Sequence, residues 1–458
     1  MGEWRGKRVV VLGLARQGKA LCRYLAQGGA WVTVSDLKAE DALTSQMEEL
    51  KGFNLEYVLG EHPLSLLEGA ETLFLSGGVP ADLPLVLEAR SRGIRVSNDA
   101  QLFLEASPAL TVGITGSMGK TTTTSLLGQI AERSFAGSRR RAWVGGNIGF
   151  PLLNALDKMK PDDLAILELS SFQLEIMTVA PDFAAWLNLR PDHLDRHKSM
   201  EAYQSAKSHI LAYQSPEGVA VLNADDSAVW GMRDQVRGRL LAFGTELPAG
   251  QEGGCIRDGV LCLRLGGQEQ TICALEEVAL RGTHNRMNLL AACVLGAAAG
   301  LRIEAMREVA RTFRGVPHRL EWVRRVRGAD WYNDSIATTP DRALAALRAF
   351  DEPIVLLAGG RDKDLPWDAF AREVVRRVKH AVLFGEAAEK IARHLQAAAE
   401  EGSPPVTRVS NLEAAVAAAA AVAEPGDVVL LAPGGTSFDE FENYEERGEV
   451  FRTWVEAL

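Results

Sequence analysis

Short and almost uninterrupted apolar runs alternate with amphipathic segments along the whole chain. Such runs predict strands buried on both faces, because a strand with one face in water would alternate apolar and polar positions. Many of the runs end in glycine, at the edge where an open parallel sheet forms its ligand crevice. The clearest eight cover residues 8–14, 31–36, 72–78, 110–116, 163–170, 353–360, 380–386 and 427–435. The pattern therefore predicts an α/β fold of parallel sheets covered by helices.

The chain is too long for one hydrophobic core. With 458 residues, it is expected to form two or three domains. Turn-forming residues at 106–108 and 315–317 mark the boundaries, so we expect three α/β domains at 1–107, 108–316 and 317–458. The glycine-rich stretch 242–280 predicts an antiparallel excursion inside the middle domain.

One helix can be bounded from single residues. Ser410 and Glu413 have the spacing of a capping box, which predicts that an alanine-rich helix begins there. The Pro-Gly pair at 425–426 is expected to stop it, because proline lacks an N–H group and glycine tolerates a positive φ.

Charge and cysteine content exclude several classes of protein. The net charge is -10, whereas a nucleic-acid binder usually has a basic surplus, so no nucleic-acid partner is expected. Five cysteines without a C-x-x-C pair argue against a disulfide framework or a structural zinc site. The first residues lead directly into a strand pattern, and no apolar run approaches the roughly 20 residues that span a bilayer. We therefore expect a cytoplasmic protein without membrane insertion.

The strongest local motif is GITGSMGKTT at residues 113–122. A predicted strand leads into a glycine-rich turn, and a predicted helix begins directly after it. Glycines let backbone N–H groups turn inward around phosphate oxygens, and the helix dipole adds positive potential. In this interpretation Lys120 neutralises nucleotide phosphates and the Thr121 hydroxyl binds Mg²⁺. The competing interpretation is an ordinary glycine turn with a chance Gly-Lys-Thr, because the spacing departs from the strict P-loop pattern.

Further charged side chains follow predicted strands. Glu168 ends one such strand, where a carboxylate can hold the Mg²⁺ ion of a nucleotide or simply begin a surface helix. Residues 188–197 contain two histidines, two aspartates and two arginines, a density typical of a metal or phosphate site, although a polar loop with internal ion pairs is the alternative. Tyr203 and Lys207 are four residues apart and share a helix face, where a lone lysine is usually solvated.

Taken together, these segments resemble the Mur ligase superfamily over nearly the whole chain. The phosphate loop resembles the family's T-G-T-N-G-K-T-T, with Ser117 and Met118 in place of Thr-Asn. The segments GGNIG, LELSSFQLE, PDHLDRH, YQSAK, GTHNRMN, HRLE, NDS, GGRDKD and FENYEERG then follow in the family's order. The resemblance implies a Rossmann-like N-terminal domain, a central P-loop ATPase-type parallel-sheet domain and a Rossmann-like C-terminal domain.

The resemblance also implies an activity, namely ATP-dependent amide ligation in peptidoglycan precursor synthesis. The VVLGLARQG, PDHLDRH and FENYEERG segments are similar to those of the member that adds glutamate. The implied substrates are UDP-N-acetylmuramoyl-L-alanine and glutamate, with D-glutamate favoured, joined through an acyl phosphate. The implied cofactors are ATP, two Mg²⁺ ions and a CO₂-derived carbamate on Lys207, and a monomer is expected.

The family's site residues carry over to the matching positions of this chain. Catalytic roles are implied for Lys120, His193, Lys207 and Asp334. Metal binding is implied for Thr121, Glu168, His193 and carbamylated Lys207. The implied ATP-binding residues are Gly116, Ser117, Met118, Gly119, Lys120, Thr121, Thr122, His284, Asn285, Asn288, Arg319 and Asp334. UDP-substrate binding is implied for Leu14, Ala15, Asp36, Leu37, Lys38 and Asn147, and glutamate binding for Lys363, Ser437 and Tyr444. Whether His193 or Asp334 takes the amine proton stays open.

Two positions depart from the family's pattern. Ile336 replaces the lysine of N-D-S-K-A-T, and APGGTS at 432–437 replaces S-P-A-C-A-S beside the expected glutamate pocket. Two alternative functions therefore stay open: a ligase of the same superfamily with L-glutamate or another amino acid or acceptor, and a P-loop ATPase without ligase activity. A dehydrogenase is disfavoured, because GLARQG at 13–18 is not the dinucleotide pattern G-x-G-x-x-G.

Overall fold

The computed structural model describes residues 4–280 and 282–458. The chain divides into two compact units, Met1–Phe313 and Arg314–Leu458. The first unit contains two sheets and the second unit contains one.

The N-terminal sheet is a parallel five-stranded sheet, counted over the described residues, in the order β3-β2-β1-β4-β5. This is a Rossmann-like order, in which the crevice opens between β1 and β4 where the winding direction reverses. The strands are β1 (Arg8–Leu12), β2 (Trp31–Asp36), β3 (Leu55–Leu59), β4 (Thr72–Leu75) and β5 (Arg95–Asn98). The helices are α1 (Arg16–Gln27), α2 (Thr44–Glu48), α3 (Pro84–Ser91) and α4 (Asp99–Ala106).

The central sheet has the order β14-β13-β12-β11-β10-β9-β6-β8-β7 in the described part of the chain. Its strands are β6 (Leu110–Thr115), β7 (Ala142–Gly146), β8 (Leu164–Glu168), β9 (Phe183–Trp186), β10 (Val219–Asn223), β11 (Arg239–Phe243), β12 (Gly253–Arg257), β13 (Val260–Leu265) and β14 (Gln268–Ala274). Its helices are α5 (Lys120–Phe135), α6 (Ser171–Leu174), α7 (Leu194–His197), α8 (Met200–Ala212), α9 (Ser227–Trp230), α10 (Thr283–Ala298) and α11 (Ile303–Thr312). The strands from β6 to β11 pair in parallel, whereas β12, β13 and β14 form the predicted antiparallel excursion.

The C-terminal sheet has the order β15-β16-β20-β17-β18-β19. Its strands are β15 (Glu321–Val326), β16 (Ala329–Asn333), β17 (Ile354–Gly359), β18 (Val378–Phe384), β19 (Val406–Arg408) and β20 (Val428–Gly434). Its helices are α12 (Pro340–Leu347), α13 (Asp368–Arg377), α14 (Ala388–Ala397), α15 (Leu412–Val422) and α16 (Tyr444–Glu456). Only the edge pair of β15 and β16 is antiparallel, so the carboxyl ends of β16, β20 and β17 lie side by side.

The predicted fold class is confirmed, and each of the eight apolar runs contains a strand. The helix prediction at Ser410 was wrong in its cap, because the Oδ1 atom of Asn411 accepts the N–H of Ala414 and the helix begins one residue later. Over the residues described, no helix is both long and apolar enough to cross a bilayer.

Candidate functional site

The phosphate loop lies between β6 and α5 and is shaped by two glycines. Gly116 and Gly119 have φ angles of 154° and 83°. A Cβ atom on Gly119 would lie only 2.2 Å from Oδ1 of Asn288, so α10 closes one side of the loop. Glycine is required at Gly119 both for its positive φ and for this close approach.

Side chains from the β9 end hold the loop in place. The Met118 N–H donates to Oδ1 of Asn188 over 2.8 Å, and the Asn188 amide donates back to the Met118 carbonyl over 2.9 Å. The Ser117 hydroxyl accepts the N–H of Arg190 over 2.9 Å. Three of the loop's backbone and side-chain groups are thereby fixed before any ligand binds, which is the preorganisation that phosphate binding needs.

Lys120 begins α5 and folds back onto the loop. Its Nζ atom donates to the carbonyl oxygens of Gly116 over 2.8 Å and of Ser117 over 3.0 Å. A phosphate oxygen is a stronger hydrogen-bond acceptor than a carbonyl oxygen. The Lys120 ammonium group can therefore exchange these carbonyl acceptors for a phosphate oxygen. Thr122, in the first turn of α5, is half-buried.

Glu168 is the centre of a small polar cluster at the end of β8. Its side chain is buried, with one oxygen accepting the Thr121 hydroxyl over 2.7 Å and the other accepting the Asn147 amide over 2.8 Å. Hydroxyl and carboxylate oxygens are the ligands that Mg²⁺ prefers, usually with waters and substrate phosphates completing its shell. Thr121 and Glu168 therefore fit a magnesium ion at the mouth of the phosphate loop.

Lys207 is buried in α8 with only 1% of its surface exposed. Its Nζ atom donates to the Gly116 carbonyl over 3.0 Å and lies 4.7 Å from the centre of the Tyr203 ring. Burial lowers the pKa of the Lys207 ammonium well below its ordinary value, and the charge of Lys120 lowers it further, against Asp192 and Glu168. The predicted shared helix face of Tyr203 and Lys207 is confirmed, and Lys207 is not the solvated lysine of the alternative.

Several other side chains of the histidine-rich segment 188–197 are held by packing and ion pairs. His197 stacks on Phe172 with ring centres 5.1 Å apart and meets the Ser171 hydroxyl over 2.9 Å. Arg190 pairs with Asp226 over 2.7 Å. Of the residues that the structure describes, no three histidines, cysteines or acids form a metal cluster, and the side chain of Asp195 lies outside that description. That this segment forms a metal or phosphate site stays a prediction.

His193 stands apart from His197 in this segment. It has a positive φ of 54°, and its ring lies 5.0 Å from Phe172 and 6.5 Å from Tyr203, centre to centre. Its Nε2 atom is 3.4 Å from Oδ2 of Asp192. A left-handed conformation is uncommon outside glycine and often marks a functional position.

The candidate UDP residues surround the turn after β1. The carboxylate of Asp36 accepts the N–H of Leu14 over 2.8 Å and that of Lys38 over 3.0 Å, so it joins this turn to the loop after β2. Ala15 is the N-cap residue of α1, and Leu37 is 62% exposed. Both carboxylate oxygens of Asp36 thus hold these two segments together, rather than forming a free carboxylate for a nucleoside.

One arginine links this turn to the phosphate loop. Nη2 of Arg16 donates to the carbonyl of Asn147 over 3.1 Å, and Asn147 in turn contacts Glu168. The candidate UDP, magnesium and phosphate residues of the first unit therefore form one connected set.

Of the candidate adenine residues on α10, Asn288 reaches the loop at Gly119, Asn285 accepts from the Asn288 amide over 3.3 Å, and His284 is exposed.

In the second unit, three candidate residues follow three neighbouring strands. Asp334 follows β16, Ser437 follows β20 and Lys363 follows β17. Asp334 and Ser437 are buried, whereas Lys363 is exposed. The Asp334 carboxylate accepts the N–H of Leu320 over 3.0 Å, and burial raises its pKa to about 7 against the charges of Arg319 and Arg342.

Sequence reasoning missed Arg447, which is 1% exposed in α16. Its Nη1 atom donates to the Thr436 carbonyl over 2.9 Å, and its Nη2 atom donates to the carbonyls of Ser335 over 2.9 Å and Gly435 over 3.2 Å. Its Nε atom donates to the Ser335 hydroxyl over 3.0 Å, and Tyr444 accepts from that hydroxyl over 2.8 Å. Burial lowers the pKa of Arg447 to about 10. This side chain fixes the loops that carry Asp334 and Ser437, and its acidic sequence neighbours gave no sign of it.

Three family models match the chain. They are the Mur ligase MurD-like N-terminal domain over residues 7–98, the Mur ligase middle domain over 114–296 and the Mur ligase glutamate ligase domain over 318–435. Arg281 and the first three residues are the only positions outside the described structure, so nearly all of the matched chain has a described fold.

Similar proteins extend over the full length. The chain is 41% identical to the UDP-N-acetylmuramoylalanine–D-glutamate ligase of Symbiobacterium thermophilum, with 99% of this chain and 98% of that protein aligned. It is 39% identical to the ligase of that name from Acetivibrio thermocellus, with coverage of 99% and 97%. The UDP-N-acetylmuramate-alanine ligase structure from Thermotoga maritima, 19% identical, has the same fold, with a TM-score of 0.54 and coverage of 98% and 99%. The chain therefore belongs to the Mur ligase family.

Proposed function

We propose that this protein joins D-glutamate to UDP-N-acetylmuramoyl-L-alanine at the expense of ATP, in the synthesis of peptidoglycan precursors. The observation that carries the proposal is the connected set of Lys120, Thr121, Asn147, Glu168 and Lys207 around the phosphate loop. This set lies in a chain 41% identical, end to end, to a protein named for that reaction.

The chemistry explains why a phosphate loop is needed. An alanyl carboxylate does not react with an amine, because its oxygens are poor leaving groups. One carboxylate oxygen therefore attacks the γ-phosphorus of ATP, ADP leaves and an acyl phosphate forms. The glutamate nitrogen then attacks the acyl carbon, inorganic phosphate leaves with its electron pair, and the nitrogen loses a proton. Lys120 would neutralise the transferred phosphoryl group, and the fixed loop N–H groups would orient it.

Mur ligases use ATP and Mg²⁺, and two positions in this chain suit two ions. Thr121 and Glu168 would hold the first ion, while His193 and a carbamylated Lys207 would hold the second. When bound, magnesium supplies positive charge to the phosphate oxygens of the nucleotide and of the acyl phosphate. The hydrogen bonds from Thr121 and Asn147 support this assignment, because they keep the Glu168 carboxylate at the mouth of the loop.

The carbamate on Lys207 is the finer part of the proposal. A neutral lysine amine attacks CO₂ and releases one proton, so a cation becomes an anion. The depressed pKa of Lys207 supports this step, because the neutral amine is the reactive form. A buried lysine beside Lys120 is electrostatically unfavourable as a cation and favourable as an anion.

Substrate contacts complete the assignment. UDP would bind at Leu14, Ala15, Asp36, Leu37, Lys38 and Asn147, and the adenine and ribose at His284, Asn285 and Asn288. In the second unit, Arg319 and Asp334 are proposed as nucleotide-binding residues. Glutamate would bind at Lys363, Ser437 and Tyr444.

The pKa of about 7 for Asp334 supports it as the group that accepts the amine proton, since a base works best near the operating pH. We keep the domain boundaries 1–107, 108–316 and 317–458, and a cytoplasmic monomer stays a prediction.

The test is phosphate release from ATP with UDP-N-acetylmuramoyl-L-alanine and D-glutamate, with L-glutamate assayed separately. We expect release only when the nucleotide acceptor and D-glutamate are both present, together with a product heavier than the acceptor by one glutamyl residue. Release with another amino acid or acceptor would instead identify a different ligase of the family. Release that ignores the amino acid would identify an ATPase and end the proposal.

A further inference from the structure

His62 lies in the turn after β3, beside the segment that follows β2. The Gly60 N–H donates to the carbonyls of Asp36 over 2.8 Å and of Lys38 over 3.2 Å, so hydrogen bonds join the two segments. Nδ1 of His62 lies 2.7 Å from the hydroxyl of Ser35, the residue before Asp36. His62 is therefore at the carboxyl edge of the N-terminal sheet, next to the strand end that faces the nucleoside in Rossmann-like folds.

The acid at this strand end is already shared by two backbone groups. In a Rossmann-like site, an acid that ends the second strand accepts a ribose hydroxyl. Asp36 has that position, but its two oxygens accept the N–H groups of Leu14 over 2.8 Å and of Lys38 over 3.0 Å. A neighbouring acceptor whose lone pair is not shared in this way is a better partner for a nucleoside donor.

The hydrogen bonds of Ser35 determine which nitrogen of His62 carries the proton. The buried Ser35 hydroxyl lies 3.0 Å from the Glu61 carbonyl oxygen and 2.7 Å from Nδ1 of His62. A carbonyl oxygen can only accept, so the single hydroxyl proton of Ser35 is directed to Glu61. Nδ1 of His62 then carries the ring proton and donates it to the Ser35 oxygen. This tautomer leaves Nε2 as a hydrogen-bond acceptor.

The surroundings of the His62 ring favour this neutral form. Burial lowers the pKa of His62 below its ordinary value, against the charge of Asp36 and the Glu61 carbonyl. The side chain is half-buried, and in the described part of the chain Nε2 has no hydrogen-bond partner. A neutral ring with one unshared acceptor, fixed at its other nitrogen, suits a donor on a ligand.

We infer that His62 recognises the uridine part of the acceptor substrate, with Nε2 accepting a hydrogen bond from the uracil N3–H or from a ribose hydroxyl. This inference rests on the proposed function, which supplies the uridine nucleotide. It gives the nucleoside site an acceptor that Asp36 does not leave free.

The experiment measures the Kd of UDP for the full-length parent, His62→Ala, His62→Gln and His380→Ala by titration calorimetry. His380 is a matched control in the second unit, because it is half-buried, contacts the Thr407 hydroxyl over 2.8 Å and has a pKa that burial lowers. His62→Ala should bind UDP about tenfold more weakly, the scale of one lost hydrogen bond. The amide oxygen of His62→Gln should restore part of the affinity, and His380→Ala should bind like the parent.

Three analogues of UDP separate recognition from a structural role and identify the donor. They are methylated at uracil N3, or lack the ribose 2′-hydroxyl or the 3′-hydroxyl. The parent should bind one of them about tenfold more weakly than UDP, which names the donor. His62→Ala should bind that analogue and UDP within about twofold of each other, because the partner of the missing donor is already gone.

Several results would overturn the inference: a parent that does not bind UDP, a UDP affinity that does not depend on His62, an equal loss in His380→Ala, or analogue penalties that persist unchanged in His62→Ala. If His62→Ala does not fold, His62→Phe takes its place, since it keeps a ring and removes both nitrogens. A parent that binds UDP as expected but releases no amino-acid-dependent phosphate would remove the proposed ligase function and leave the nucleoside contact standing.

Discussion

The phosphate-loop site of the first unit and the strand-end crevice of the second unit handle charge in opposite ways. Around the phosphate loop each charged candidate already has protein partners, as Glu168 has Thr121 and Asn147. In the crevice, Lys363 and Arg342 are exposed, and neither has a carboxylate within 4.0 Å among the described residues of that unit. The crevice's buried acid, Asp334, accepts only the Leu320 N–H among the described contacts.

The difference indicates how each region contributes to the reaction. A site whose polar groups are held by one another is preorganised, so it can stabilise developing charge without rearranging. A crevice with unpaired cations instead gains most of its favourable electrostatics when an anionic ligand arrives. Removing a charged group beside the phosphate loop should therefore lower turnover, distorting the loop backbone should weaken ATP binding, and removing a cation from the crevice should weaken binding of its anionic ligand.

Lys207→Ala should have the largest effect. If Lys207 carries the proposed carbamate, the variant would lose one anionic ligand of the proposed second ion, so we expect kcat to fall by at least about 100-fold, the scale of one lost electrostatic contact in a transition state. Acetate at high concentration should restore part of the activity by supplying a carboxylate in the cavity. The measurement is phosphate release with and without acetate, and Lys198→Ala is the control. Full activity of the unrescued variant would remove the carbamate from the mechanism.

Gly119→Ala should have the next largest effect. The added Cβ would meet Oδ1 of Asn288 at 2.2 Å and would hold a left-handed φ, which together should raise the KM for ATP by roughly 10- to 100-fold. Gly137→Ala is a matched control, because Gly137 has a similar φ of 80° but no atom within 4 Å of the added Cβ. The control should lose about 1–2 kcal/mol of unfolding free energy without a change in the KM for ATP. Equal nucleotide binding in both variants would contradict a preorganised loop.

The sequence predicted the fold and the strand-turn-helix shape of the phosphate loop well, because both depend on local patterns. Continuous apolar runs predict buried strands, and the glycine-rich turn before Lys120 does lie between β6 and α5. Phosphate binding by this turn stays a prediction. Boundaries were less certain, since Ser410 and Asn411 are both good caps and only the backbone geometry decides between them.

Long-range contacts were beyond the sequence. Arg447 contacts Ser335 and Thr436, which are 112 and 11 residues away. It lies in the FENYEERG segment, but its burial follows from the packing of α16, which the segment itself does not reveal. His193 and His197 are the same residue type in one short segment. His197 nevertheless stacks on Phe172, whereas His193 has a strained backbone. Only three-dimensional packing distinguishes such neighbours.

Lys363→Ala should have a smaller effect, confined to binding. Lys363 is exposed and follows β17, so its loss should raise the KM for D-glutamate about tenfold with little change in kcat. Arg393→Ala, which removes an exposed cation from α14, should leave both constants near those of the parent. Steady-state kinetics over a range of D-glutamate concentrations measures the effect. A fall in kcat at saturating D-glutamate would contradict the proposal that a cation lost from the crevice affects binding rather than turnover.

Asp334→Asn should change the pH dependence of stability, and the change in unfolding free energy from one pH value to the next should be small. Burial raises the pKa of Asp334 from 3.8 to about 7, so the folded protein binds this proton more tightly than the unfolded chain does. Stability linked to Asp334 is therefore present below about pH 4 and is lost as the pH rises to about 7, by at most about 1.4 kcal/mol per pH unit. Asp334→Asn should flatten the unfolding free energy between pH 4 and 7, whereas Asp341→Asn, an exposed acid in the first turn of α12, should not. Urea unfolding at several pH values measures the slope. The same slope in Asp334→Asn as in the parent would mean that the folded protein stabilises the ionised carboxylate of Asp334. The buried acid of the crevice would then be as well partnered as Glu168 is beside the phosphate loop.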